Sequence, residues 1–64
     1  MKFPQIVQMD GRTYEVKAIH TLKTGERIAR AVFRHSVLGE QEVHSPSVRI
    51  RLARRMEEIA HGTS

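Results

Sequence analysis

Four arginines crowd the stretch VRIRLARR, at positions 49, 51, 54 and 55, and two glutamates follow at 57 and 58. Guanidinium groups at this density can displace condensed counterions from a phosphate backbone. They can equally form the solvated side of a helix, paired with its own carboxylates. Spacing decides how many stay available. On a helix Arg51, Arg54 and Arg55 share one side, and Glu58 falls among them, four residues after Arg54 and three after Arg55. Glu57 stands three residues after Arg54. Pairs at these distances contribute about 0.2–0.5 kcal/mol each. The pairing load falls mainly on Arg54, so Arg51 and Arg55 are the leading phosphate-contact candidates on the helix, ahead of Arg54. Arg49 lies at the edge of the apolar stripe and is expected to snorkel from it.

Lys17, Arg30 and Arg34 form a second basic set, spread over segments that alternate as strands do. Thr13, Ile19, Ile28 and Val32 share their side of the alternation. A sheet face of this kind can enter a nucleic-acid groove. The same face carries Ile6, Ile19, Ile28 and Val32, and a contiguous apolar patch marks an interaction surface. Self-association through that face is therefore the rival to nucleic-acid binding. A small domain also gains stability by associating.

Other chemistry is poorly supported. His20, His35, His44 and His61 have no helical pairing and no cysteine beside them, so no metal site and no cofactor are expected. No nucleophile elbow and no phosphate-cradling glycine loop is present. The glutamates at 40 and 42 flank a turn, and those at 57 and 58 face arginines. Neither couple resembles an acid–base pair in a cleft, so no enzymatic activity is expected. Tyr14 reads as a core aromatic with its hydroxyl at the rim.

The elements that must position these residues follow from turn chemistry and periodicity. Asp10-Gly11 suits a two-residue type I′ turn. It predicts a hairpin with strands near Pro4–Met9 and Arg12–Thr21, in which Met9 faces Arg12 and Val7 faces Tyr14. Phe3, Val7, Met9, Tyr14, Val16 and Ala18 would then face the core. Ile6, Gln8, Thr13, Glu15, Lys17 and Ile19 would face outward. LKTGE predicts a second short turn at 22–26, with a third strand over Glu26–His35 whose Ala29, Ala31 and Phe33 point inward. A turn at Leu38-Gly39 leads into EQEVH, a candidate fourth strand. Ser45 and Pro46 suit the start of a helix, and Gly62 its end. Val48, Leu52, Met56 and Ile59 form its core stripe, with Ala53 and Ala60 beside it and Ile50 facing away. SVRIRL also alternates as a strand would, but the stripe continues to Ile59 and favours the helix.

The fold class is therefore α+β: an antiparallel meander of three to four strands with one C-terminal helix packed on one face, as a single domain over residues 1–64. The charged fraction of 28% and hydrophobic fraction of 39% belong to a globular chain rather than a disordered one. No apolar run approaches bilayer length, and MKFPQIVQMDG lacks the apolar core of a secretory signal. A cytoplasmic protein is expected, with no membrane partner. Eleven Lys and Arg against seven Asp and Glu give a net charge of +4, a weak lean toward polyanions. The preferred function is a small binding module that contacts DNA or RNA through Arg51, Arg54, Arg55, Lys17, Arg30 and Arg34. Its mechanism would be phosphate neutralisation, with base-edge readout by Arg30 or Arg34 as an extension. The alternative is a protein-interaction module using the outer sheet face.

Overall fold

In the computed structural model, which describes residues 2–61, Asp10 and Gly11 both take positive φ, 54° and 74°. That is the backbone a type I′ turn requires, and aspartate and glycine tolerate it best. The turn closes a hairpin of β1 (Gln5–Met9) and β2 (Arg12–Thr21) in the expected register, with Met9 opposite Arg12 and Val7 opposite Tyr14. β3 (Arg27–His35) and β4 (Gly39–Glu42) complete an antiparallel sheet of order β1-β2-β3-β4. Between β2 and β3 the chain turns at 22–26, where Gly25 (φ 91°) donates its amide to the Leu22 carbonyl at 2.9 Å.

Helix α1 (Pro46–His61) follows. Ser45 caps it, its Oγ accepting from the Val48 amide at 3.4 Å and its carbonyl from the Arg49 amide at 3.0 Å. SVRIRL is therefore helical, and its strand-like alternation does not prevail. Gly62, the expected stop, lies outside the described residues. The fold is thus the α+β meander with one C-terminal helix on one face.

The core lies between α1 and one sheet face. Val7, Tyr14, Val16, Ala29, Ala31 and Val43 come from the sheet side, and Leu52, Ala53 and Met56 from the helix. Phe33 and Val48 pack against them, and the Tyr14 and Phe33 rings meet edge to face with centroids 6.1 Å apart. Ala29 and Ala31 are fully buried, so the helix rests on methyl groups. Their carbonyls point to the edge of β3 that β4 is too short to cover. Val43 N–H donates to Ala31 at 2.9 Å, and Arg49 Nε donates to Ala29 at 2.8 Å. Arg49 thus does more than snorkel: it continues the ladder where no strand is available.

Four expectations of facing need correction. A β-bulge between Val16 and Ala18 makes Lys17 the extra residue on β2. Beyond it the alternation shifts by one. Ala18 then pairs with outward Arg30, while Ile19 pairs with inward Ala29 and packs against the core. Ala18 and Ile19 therefore exchange faces. Phe3 is also not a core residue: the chain bends before β1, and Phe3 lies with Pro4 in a shallow cleft against Glu15 and Lys17. Finally, the core stripe ends at Met56. Ile59 is 53% exposed, because the last turn of α1 runs past the apolar surface that the sheet offers.

A domain of 64 residues carries roughly 3–10 kcal/mol of stability. Leu52→Ala opens a cavity in a fully buried site and is expected to cost about 2–5 kcal/mol. Ile59→Ala should change stability by no more than about 0.5 kcal/mol. Urea unfolding of the two variants checks this; equal losses would mean that Ile59 is a core residue after all.

Candidate interaction surface

Helix α1 turns its arginines toward the sheet's own carboxylates. Arg51 grips Asp10 in the first turn, with guanidinium–carboxylate distances of 3.0 and 3.1 Å. Arg54 donates to Glu26 in the second turn at 2.7 Å. Glu57 accepts from Arg27 at the start of β3 at 2.9 Å. Among the described residues only Arg55 pairs along the helix, reaching Glu58 at 3.4 Å. The expected Arg54 pairs with Glu57 and Glu58 are thus replaced by contacts between elements distant in sequence. Arg51, Arg54 and Arg55 are exposed but each already has a carboxylate partner. Exposed pairs of this kind are worth about 0–1 kcal/mol each, so they clip the helix to the turns without making it rigid.

The opposite face of the sheet has no element across it among the described residues. Strand pairing sets Ile6, Glu15, Val32 and Glu42 in one row across all the strands. Arg34 pairs with Glu40 on the next row toward the turns. Ala18 pairs with Arg30, and His20 with Ile28, on the other side. Ile6 is 65% exposed and Val32 half-buried, whereas Ile28 is only 9% exposed and offers little area. Of the expected apolar patch, Ile19 is absent, Ile28 is sunk, and Ile6 and Val32 remain.

The charges on this face nearly balance, with Arg12 at the groove leaving one cation in excess. Lys17, Arg30 and Arg34 share it with Glu15, Glu40 and Glu42, and Lys17 approaches Glu40 at 3.9 Å. Among the described residues Lys2, Arg12, Lys23, Arg30, Arg34 and Arg49 make no ion pair. Arg12 instead lies over the Phe33 ring, 5.5 Å from its centroid, a cation–π arrangement. A groove of about 810 Å³ runs over this region, lined by Ile6, Thr13, Glu15 and Val32 and bounded by Arg12 and Arg34. His35 stands at its end. Its Nδ1 accepts from the amides of Val37 and Leu38 at 3.0 and 3.1 Å. That leaves Nε2 as the nitrogen free to carry the proton in the neutral ring.

The six basic candidates thus fall into two groups: Arg51, Arg54, Arg55 and Lys17 make ion pairs, and Arg30 and Arg34 make none, although Arg34 stands opposite Glu40. The contribution of Glu15, Glu40 and Glu42 was underweighted in the sequence. Parity on β2 already places Glu15 beside Thr13 and Lys17, but the register of β4 was needed to bring Glu40 and Glu42 onto the same face. Among the described residues no group of three or more metal-ligating side chains is placed to hold an ion, and no helix is long and apolar enough to cross a membrane.

The two kinds of arginine should separate in a stability series. Arg49→Ala leaves a half-buried strand carbonyl without its donor and is expected to cost about 1–3 kcal/mol. Arg51→Ala should cost about 1 kcal/mol or less, and that loss should fade as salt is raised. Urea unfolding at low and high salt reads both; a salt-independent Arg51 effect would show that its pair with Asp10 is more than a surface clip. Compared with known proteins, the chain matches no family model, no curated protein and no solved structure.

Proposed function

We propose that this chain is a protein-interaction module, acting by binding rather than catalysis, and that its docking surface is the outer sheet face around Ile6 and Val32. The observation that carries this reading is the composition of that face. A sheet face that no described element covers sets Ile6 and Val32 on either side of Glu15, with cationic and anionic side chains in nearly equal number around a groove. Protein interfaces have this anatomy, an apolar centre inside a polar rim. A phosphate-tracking surface instead needs a clear excess of cations gathered along one track, which is not the pattern of either face. On the helix side a phosphate would have to displace Asp10, Glu26 or Glu58 from the arginines they hold.

A second reading is nucleic-acid binding through Arg30 and Arg34, favoured by their lack of carboxylate partners. Fluorescence anisotropy with duplex DNA and single-stranded RNA over a salt series distinguishes the two. The interaction reading expects no binding, or binding weaker than ~10⁻⁴ M, the weak end of non-specific association at physiological salt. It also expects a protein captured by the immobilised wild-type chain to be lost from Val32→Asp and Ile6→Asp baits but kept by an Arg51→Glu/Arg55→Glu bait. Micromolar, steeply salt-dependent oligonucleotide binding that Arg30→Glu/Arg34→Glu abolishes would replace it with the second reading.

A further inference from the structure

The exposed strand edges of this sheet are not treated alike. β4 is short, and half its residues are glutamate, Glu40 and Glu42. The stretch of β3 beyond it is covered by Val43 and Arg49. β1, sequence QIVQM, carries neither a charge nor a proline, and no bulge interrupts its pairing with β2. Edges that must stay single are blunted by charge, proline, bulges or cover. β1 has none of these within its own sequence, and charged side chains of the helix flank its edge on one face alone.

The first turn fixes which groups that edge presents. In a two-residue hairpin the flanking residues form a hydrogen-bonded pair, here Met9 with Arg12. Hydrogen-bonded and non-hydrogen-bonded pairs then alternate. Val7 and Gln5 therefore bond to β2, while Ile6 and Gln8 point their N–H and C=O groups away from the sheet. We infer that β1 pairs antiparallel with β1 of a second copy, joining two sheets into one about a twofold axis at Val7.

Only one symmetric register uses every free group: Ile6 opposite the second copy's Gln8, and the reverse. Each pair then exchanges two N–H···O=C bonds. Centring on Ile6 would bring Pro4 opposite Gln8, and Pro4 has no N–H. Centring on Gln8 would bring Ile6 opposite Asp10, whose φ of 54° belongs to the turn. Charge points the same way. β4 against β4 would oppose glutamates, and β1 against β4 would not close on itself and would propagate. In the chosen register no like charges meet in the ladder. On the helix side, Arg51, Arg55 and Glu58 flank the β1 edge. Arg51 and Arg55 are already paired with Asp10 and Glu58, so no bare like charges face each other across the axis. The outer face stays open for a different partner, so this inference does not rest on the function proposed above.

Sedimentation velocity and amide hydrogen exchange over a concentration series test it. The mass is expected to rise from 7.4 kDa toward twice that value, with protection appearing at the Ile6 and Gln8 amides over the same range. Gln8→Pro removes an outward donor without touching the β1–β2 bonds, and should hold the chain monomeric. Val32→Asp should leave the dimer intact. A mass fixed at 7.4 kDa up to millimolar concentration overturns the proposal. So does a doubled mass with the Ile6 and Gln8 amides unprotected, or a dimer that Val32→Asp dissolves. The exchange measurement stands even if Gln8→Pro fails to fold.

Discussion

Helix α1 can lie against β3 because Ala29 and Ala31 put nothing larger than a methyl group between strand and helix. That close approach sets most of the remaining contacts. It lets Leu52, Ala53 and Met56 reach the sheet's buried residues. It brings Arg49 within 2.8 Å of the Ala29 carbonyl, so that a side chain completes a ladder that β4 is too short to cover. It also carries Arg51 and Arg54 over the turns, where Asp10 and Glu26 meet them. Larger residues at 29 and 31 would lift the helix and loosen all of these contacts together, since overpacking a full core costs about 1–3 kcal/mol before any polar contact is lost.

The arginine cluster takes its meaning from this placement. A sequence pI near 10.4 invites a polyanion-binding reading. In the folded chain the positive charge is spread over both faces, and nearly half of it is matched by ion pairs. Arg27, Arg51, Arg54 and Arg55 answer Glu57, Asp10, Glu26 and Glu58. The excess that produces the net charge is scattered among Lys2, Arg12, Lys23, Arg30, Arg34 and Arg49 rather than gathered into a stripe. Long-range attraction depends on such gathering as well as on the total.

Much of the fold was legible in the sequence where local chemistry is strong. Asp10-Gly11 dictates its turn and therefore the register of the first hairpin. Ser45-Pro46 dictates where the helix begins, and the stripe from Val48 to Met56 dictates which side is buried. The bulge at Lys17 was not legible. It needs no glycine, and nothing in EVKAIH marks it, because it arises from fitting β2 to β3 across the whole sheet. Its consequence is a phase shift that exchanges Ala18 and Ile19 and takes an isoleucine off the outer face. The arginine partners were illegible for a related reason. Helical spacing reports on neighbours three or four residues away, whereas Arg51–Asp10 and Arg54–Glu26 depend on where the helix crosses the sheet. The candidate surface was therefore half readable: parity gave Ile6, Val32, Arg30 and Arg34, and missed how many carboxylates stand among them.

That phase shift bears on how the outer face can work. Without the bulge, Ile6, Ile19, Ile28 and Val32 would make a broad greasy patch, hard to keep from non-specific association. With it, Ile19 joins the core, Ile28 is nearly closed off, and Ile6 and Val32 are left flanking Glu15 in a single row. So small an apolar centre cannot bind through buried area alone. As the docking surface proposed, the face would rely on Arg30, Arg34, Glu40 and Glu42 around it, whose contacts are directional and discriminate by charge. Misplaced partners leave those groups desolvated and unpaired, at a cost that apolar contact of this extent would not offset. The irregularity in β2 therefore does two things at once: it fills the core with Ile19 and, for the docking role proposed above, leaves a face that would select its partner by charge rather than by apolar area.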